Sequence, residues 1–252
     1  MTVDVGDAME WLRTLDRASA DALITDPPYS SGGQYRGDRT NRTGAKYGNS
    51  DAGGKGAVAI GDLEDFAGDN RDQRSFAFWM VMWLSEARRV VRPGGAIAVF
   101  TDWRQLPTVT DAIQAAGFVW RGIAVWDKGN ARPMPGRMRA DTEFVVWGSH
   151  GAMPVPSYDG APCLPGVFRE ASPRASNRVH QTSKPVGVMR QLARLAPPGG
   201  LIVDPFTGGG STGVGAVLEG RRFRGCEMLP VYAQIARQRI EAVTAAELLA
   251  VG

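Results

Sequence analysis

Six short apolar runs recur along the chain: ADALITD at 20–26, GGAIAVFT at 94–101, GIAVWD at 122–127, TEFVVWG at 142–148, GGLIVD at 199–204 and FRGCEM at 223–228. Their apolar residues are mostly continuous rather than alternating with polar ones, the pattern of parallel strands covered on both faces. Helical periodicity fills intervals between them. FWMVMWLSEARRVV at 78–91 repeats apolar residues at three- and four-residue spacing and stops at Pro93-Gly94-Gly95, and VYAQIARQRIEAV follows Pro230, a favourable first-turn residue. Strand and helix in alternation predict an α/β fold built on an open, doubly wound, mostly parallel sheet. With 252 residues and 43% hydrophobic content the chain is long enough for one sizeable core, and a single domain over 1–252 is expected.

Two segments break the rhythm. Residues 30–61 hold nine glycines, with Arg36, Arg39, Arg42, Lys46 and Lys55 among them, and show no apolar period, which reads as a functional, mobile loop. Residues 149–178 are rich in proline and arginine and read as a small irregular insertion. Between residues 121 and 194 there are eleven Lys or Arg against five Asp or Glu, while the whole chain carries a net charge of +3. That middle segment suits a polyanion; a solvated basic face accounts for it equally well on charge alone. The start, MTVDVGDAMEWL, carries acids where a signal peptide carries a basic region, and no apolar run approaches the roughly 18 residues of a membrane span, so a soluble, cytoplasmic protein is expected. Two distant cysteines, Cys163 and Cys226, and two histidines, His150 and His180, supply neither a disulfide framework nor a zinc site, and no metal is expected.

Two stretches carry chemistry. In ITDPPYSSGG at 24–33 an acid, two prolines and an aromatic ring follow a buried strand directly, and the prolines cannot continue a hydrogen-bonded ladder. Taken alone this is a rigid turn capped by an acid. In LIVDPFTGGGSTGVGAVLEG at 201–220 a buried strand runs through glycines into a helix starting near Ser211 or Thr212, so backbone N–H groups at a helix N-terminus face whatever occupies the turn. Gly208, Gly210 and Gly213 satisfy G-x-G-x-x-G, and Glu227 follows nineteen residues after Gly208 at the end of the next strand, where an acid bonds a ribose hydroxyl. An adenosine-containing cofactor follows from that spacing. No G-x-x-x-x-G-K-[ST] is present, which excludes P-loop triphosphate hydrolysis.

DPPY at 26–29, followed by HQTSKP at 180–185, DPFTGGGSTG at 204–213 and GCEMLPVY at 225–232, resembles the amino-methylating DNA methyltransferases in the permuted order that places the catalytic motif before the cofactor motif. GDAMEWL near the start and RVVRPGGAIAVF at 89–100 extend the resemblance over nearly the whole chain, although the family more often has proline and glutamine where Gln181 and Ser183 stand. The resemblance implies a Rossmann-like fold that uses S-adenosyl-L-methionine to methylate an exocyclic base amine in double-stranded DNA, with residues 149–178 as a short target-recognition segment. It implies that Asp26 and the Pro27 carbonyl accept the amine hydrogens, that Pro28 fixes the turn, and that Tyr29 stacks on a flipped base. By the same resemblance Asp204, Phe206, Gly208 and Gly210 line the cofactor, Glu227 takes its ribose, Asp7 its adenine, and Thr182 with Lys184 its carboxylate. Arg36, Arg39, Arg132, Arg137 and Arg139 are the candidate DNA contacts. Within the family an Asp before Pro-Pro-Tyr goes more often with adenine N6 and a Ser with cytosine N4, which favours adenine here.

Other readings stay open beside this one. Pro162-Cys163 superficially matches the nucleophile of cytosine-C5 methylation, but direct amine methylation gives a nucleophile nothing to do. A nicotinamide-dependent dehydrogenase would use the same glycine turn and leave DPPY unexplained. Cytosine N4, RNA or a protein amide as acceptor, a non-catalytic nucleic-acid-binding module, and a homodimer all remain compatible with the residues.

Overall fold

Side-chain caps and glycine turns set where the elements begin and end. The computed structural model describes residues 1–30, 71–131, 133, 135–155, 163–172 and 184–251. Strand β1 (Thr2–Val5) leads into α1 (Ala8–Thr14), whose N-cap Asp7 accepts from the Met9 and Glu10 N–H groups at 2.9 and 3.1 Å. β2 (Ala20–Thr25) ends at the two prolines. Asp72 caps α2 (Gln73–Val90) in the same way, so the helix begins five residues before the apolar period becomes visible in the sequence. Its buried residues, Phe76, Met80, Trp83, Leu84, Ala87 and Val90, form one stripe.

β3 (Val91–Thr101) follows α2 without a loop. Pro93-Gly94-Gly95 therefore lies inside the strand, in a bulge where β2 pairs with Val91 and then with Ala96. A Cβ on Gly95 would stand 2.8 Å from the Asp21 carbonyl oxygen, so only glycine fits there. The chain continues through α3 (Leu106–Ala115), β4 (Val119–Asp127), β5 (Thr142–Ser149), β6 (Val167–Arg169), α4 (Val186–Ala193), β7 (Leu201–Asp204), α5 (Ser211–Leu218), β8 (Arg222–Glu227) and α6 (Pro230–Val251).

The strands form one sheet in the order β1-β8-β7-β2-β3-β5-β4-β6, parallel except for β5, which runs against both its neighbours. The doubly wound, mostly parallel sheet expected from the apolar runs is present; β1 and β6, only four and three residues long, have no such run and add strands that periodicity does not reveal. Alternate residues of the central strands serve opposite faces. Ala22, Ile24, Ala98, Phe100 and Ile202 pack with Val188, Met189, Leu192, Val214 and Ala236 of α4, α5 and α6. Leu23, Ile97, Val99 and Val203 pack with Leu12, Met80, Trp83 and Ile113 of α1, α2 and α3. β2 and β7 are neighbours, but the helices after them, α2 and α5, lie on opposite faces. Their carboxyl ends therefore open the crevice where doubly wound sheets hold ligands. Among the described residues no helix is long and apolar enough to cross a membrane.

Candidate active site

The tips of β2 and β7 are tied together by a side chain. Asp204, 1% exposed, accepts from the Thr25 hydroxyl and the Thr212 hydroxyl at 2.6 Å each, and from the Phe206 N–H at 3.0 Å. Burial pushes its carboxyl up to about 7, against the lowering effect of those donors. The resemblance places Asp204 against the cofactor; in the fold both its oxygens brace the chain, and it acts as the strut between the two motifs.

The glycine turn follows. Gly208 has φ +51 and its Cβ direction is open, with no atom within 4 Å, while its N–H donates to Glu227 at 2.9 Å. Glu227 also accepts from the Leu229 N–H at 3.0 Å, and burial holds its carboxyl above the usual range. Gly210, at φ +82, has a different reason to be glycine: a Cβ there would stand 2.9 Å from Ala236 of α6. The missing side chain lets α6 pack closely against the start of α5. α5 starts at Ser211 as expected, and the buried Ser211 hydroxyl has no hydrogen-bond partner among the described residues. Phe206 meets Trp79 and Trp83 edge-on at 5.5 and 5.2 Å between centroids. Asp7 comes just beyond β1, whose Val5 pairs with Glu227, so the two acids share one edge; the Asp7 Oδ1 caps α1. Thr182 lies outside the described residues.

A second cluster surrounds DPPY. Pro27 is buried, while Asp26, Pro28 and Tyr29 are half-buried. The Tyr29 hydroxyl lies 2.6 Å from Asp26 Oδ1 and 3.1 Å from Glu143 Oε2. Lys184, 7% exposed, sets its ammonium 2.5 Å from Asp26 Oδ2 and 3.1 Å from Glu143 Oε2, and Lys128 reaches Glu143 Oε1 at 3.3 Å. The Lys184 ammonium lies over the rings of Phe100 and Tyr29, 5.2 and 5.3 Å from their centroids. The resemblance gives Lys184 to the cofactor's carboxylate, whereas here its ammonium serves the two site carboxylates. Burial raises the Asp26 carboxyl despite the adjacent Lys184. Burial raises Glu143 as well, but Lys184 and Lys128 outweigh it and hold that carboxyl below the usual range. Desolvation opposes the charge on Lys184, yet Asp26 and Glu143 hold it above an ordinary lysine. Tyr29 is pushed well above a free phenol by burial and the two carboxylates.

Glu143 and Lys128 are not among the site residues drawn from the sequence. Because β5 is reversed, its first residues lie at the edge where the other strands end: Phe144 faces Thr101 and Glu143 faces Trp126. The available signal was a lone acid in an otherwise apolar run. Of the proposed DNA-contacting arginines, Arg137 is exposed, and Arg139 bonds the Gly129 carbonyl at 2.9 Å and pairs with Asp141 at 3.1 Å. Arg36, Arg39 and Arg132 lie outside the described residues, as do most of 30–61 and the centre of 149–178. Among the described residues no cluster of His, Cys, Asp or Glu could hold a metal.

The chain is similar to known proteins over nearly its whole length. The chain is 28% identical over 240 residues to the Escherichia coli (strain K12) protein named "Putative methylase YubD", covering 94% of this chain and 89% of that one. Its fold is similar to the crystal structure of the M1.HpyAVI–SAM complex, with TM-score 0.66, 22% identity, and 95% and 98% of the two chains covered. It is also similar to the PvuII DNA methyltransferase, titled cytosine-N4-specific, with TM-score 0.69, 18% identity, and 96% and 89% covered. Residues 20–161 and 163–238 match the N6_N4_Mtase family, DNA methylase, and the chain therefore belongs to the N6/N4 DNA methylases.

Proposed function

We propose that this protein transfers a methyl group from S-adenosylmethionine to the exocyclic amine of a base turned out of duplex DNA, with adenine N6 as the acceptor. The observation that carries the reading is the 2.6 Å bond from Thr25 to Asp204, which joins the strand tip bearing DPPY to the strand tip bearing the glycine turn. Methyl donor and amine would meet across that joint.

The residues of the turn fit the cofactor. The open side of Gly208 leaves room beside the backbone, and the unpartnered Ser211 hydroxyl sits buried at the start of α5. The two Glu227 oxygens accept from the backbone N–H groups of Gly208 and Leu229 and keep lone pairs for ribose hydroxyls. Bound S-adenosylmethionine supplies a methyl group on a sulfonium sulfur, an electrophile that requires no covalent enzyme intermediate.

An exocyclic base amine is a poor nucleophile because its lone pair is delocalised into the ring. Asp26 and the Pro27 carbonyl accept its two hydrogens and turn the lone pair out of the ring plane; Pro28 keeps the carbonyl fixed, and Tyr29 stacks on the base. The amine sheds one proton towards Asp26, whose burial makes it a better base than a free carboxylate. Incubating DNA with methyl-labelled cofactor and analysing the nucleosides tests this. N6-methyladenine is the expected product; N4-methylcytosine would move the acceptor to cytosine, and label found only in RNA or protein would remove DNA as the substrate.

A further inference from the structure

Glu143 has no part in the reaction as described, yet it completes a closed ring of side chains around Asp26. Tyr29 and Lys184 each bridge the same two carboxylates: the phenol joins Asp26 Oδ1 to Glu143 Oε2, and the ammonium joins Asp26 Oδ2 to Glu143 Oε2. Lys128 closes on the remaining oxygen, Glu143 Oε1. Both ammonium groups lie over aromatic rings, Lys184 over Phe100 and Trp126 and Lys128 over Trp126, and Lys184 is buried.

We propose that Glu143 is a positioning residue that takes over Lys184 and Tyr29 when Asp26 turns to the incoming amine, a role that rests on the methyl-transfer reading above. A carboxylate already holding an ammonium at 2.5 Å is a weak acceptor for a neutral N–H. Asp26 must loosen that contact to accept the amine, and a buried ammonium left without a counter-ion is strongly unfavourable. Glu143 Oε2 is already 3.1 Å from the same nitrogen, so Lys184 changes its principal partner without leaving its place. Tyr29 has one proton and two acceptors, and its hydroxyl swings to Glu143 in the same step while its ring stays in position. The Asp26 charge is then available to the amine nitrogen, which becomes positive as its bond to the methyl carbon forms and the methyl–sulfur bond breaks with its electron pair left on sulfur, and Asp26 takes the proton that the nitrogen sheds. Lys128 holds the other Glu143 oxygen at 3.3 Å throughout.

A double-mutant cycle on the full chain tests this, reading single-turnover methyl transfer to DNA, cofactor affinity and thermal midpoint. Glu143→Gln leaves Lys184 on Asp26 and is expected to slow transfer roughly hundredfold, with cofactor affinity changed by no more than about twofold. Lys184→Met alone is expected to slow transfer as well, because Asp26 loses its counter-ion, and in that background Glu143→Gln is expected to cost at least about tenfold less than it does in wild type, since Glu143 acts through Lys184. Losses that multiply, so that Glu143→Gln costs as much with Lys184→Met as without it, overturn the proposal. A second measurement needs no turnover: in Asp26→Asn, NMR of labelled lysine side chains should find Lys184 still protonated at neutral pH, held by Glu143. A neutral Lys184 there also overturns the proposal. Wild-type protein that transfers methyl to no acceptor would instead remove the functional reading, so the two failures are separable.

Discussion

Asp26 is held by neighbours that make its removal a clean experiment. In Asp26→Ala the Lys184 ammonium keeps Glu143 at 3.1 Å, so no buried charge is orphaned and the fold should survive. Methyl transfer is expected to fall by about 10²- to 10⁴-fold while cofactor affinity changes little, measured by single-turnover kinetics and titration calorimetry. Transfer at near wild-type rate would take Asp26 out of the mechanism. Asp204 makes a different prediction, on stability. Its carboxyl is raised from 3.8 to about 7 in the fold, so the native state holds a proton that the unfolded chain releases. The stability this contributes is complete below the unfolded value, is lost as pH rises from about 4 to about 7, and is constant above. Asp204→Asn removes the titration. The unfolding free-energy difference between variant and wild type should therefore shift with pH across that window by at most ~1.4 kcal/mol per unit and be flat above pH 8, as read from urea unfolding at several pH values.

Among the elements, the turn from β7 into α5 separates two glycines that look alike in the sequence. Gly208→Ala meets no atom within 4 Å but fills the open side of the turn at φ +51. It is expected to lower stability by only about 1–2 kcal/mol, for the left-handed backbone, and to weaken cofactor binding clearly. Gly210→Ala drives a methyl group against Ala236 at 2.9 Å, also at positive φ. It should cost about 1–3 kcal/mol from overpacking alone, in addition to the backbone strain, because α6 must shift off α5. Denaturant unfolding and cofactor titration on both variants check the pair; a Gly208→Ala protein that binds cofactor normally would mean that the cradle lies elsewhere. β5 shows the same dependence on surroundings. Its apolar run identifies it as a strand, but only its reversal brings Glu143 to the edge where the other strands end.

At the scale of the whole molecule, the basic stretch after β4 is the part to test against DNA. Arg137 is exposed, whereas Arg139 is bound to Gly129 and Asp141 within its own loop. Arg137→Ala is expected to lower the slope of log affinity against log salt by roughly 0.9, and Arg139→Ala by less, in DNA-binding isotherms at several salt concentrations; equal slopes for wild type and Arg137→Ala would return this stretch to a solvated face. Much of the architecture was legible beforehand. The six apolar runs marked six of the eight strands among the described residues, most plainly β2, β3 and β7, which are covered on both faces and so are apolar nearly throughout, and the DPPY and glycine turns marked the two strand tips that meet. These are local properties: the covering of a strand, the φ a turn demands and the rigidity of two prolines are each written in consecutive residues. The tertiary structure alone decided that Tyr29 meets Glu143 across 114 positions and that Lys184 meets Asp26 across 158, that Asp204 is a strut, and that Gly210 is kept small by a helix. Those contacts depend on strand order, strand direction and the face each helix takes, which are set by how the sheet is assembled and leave no spacing along the chain.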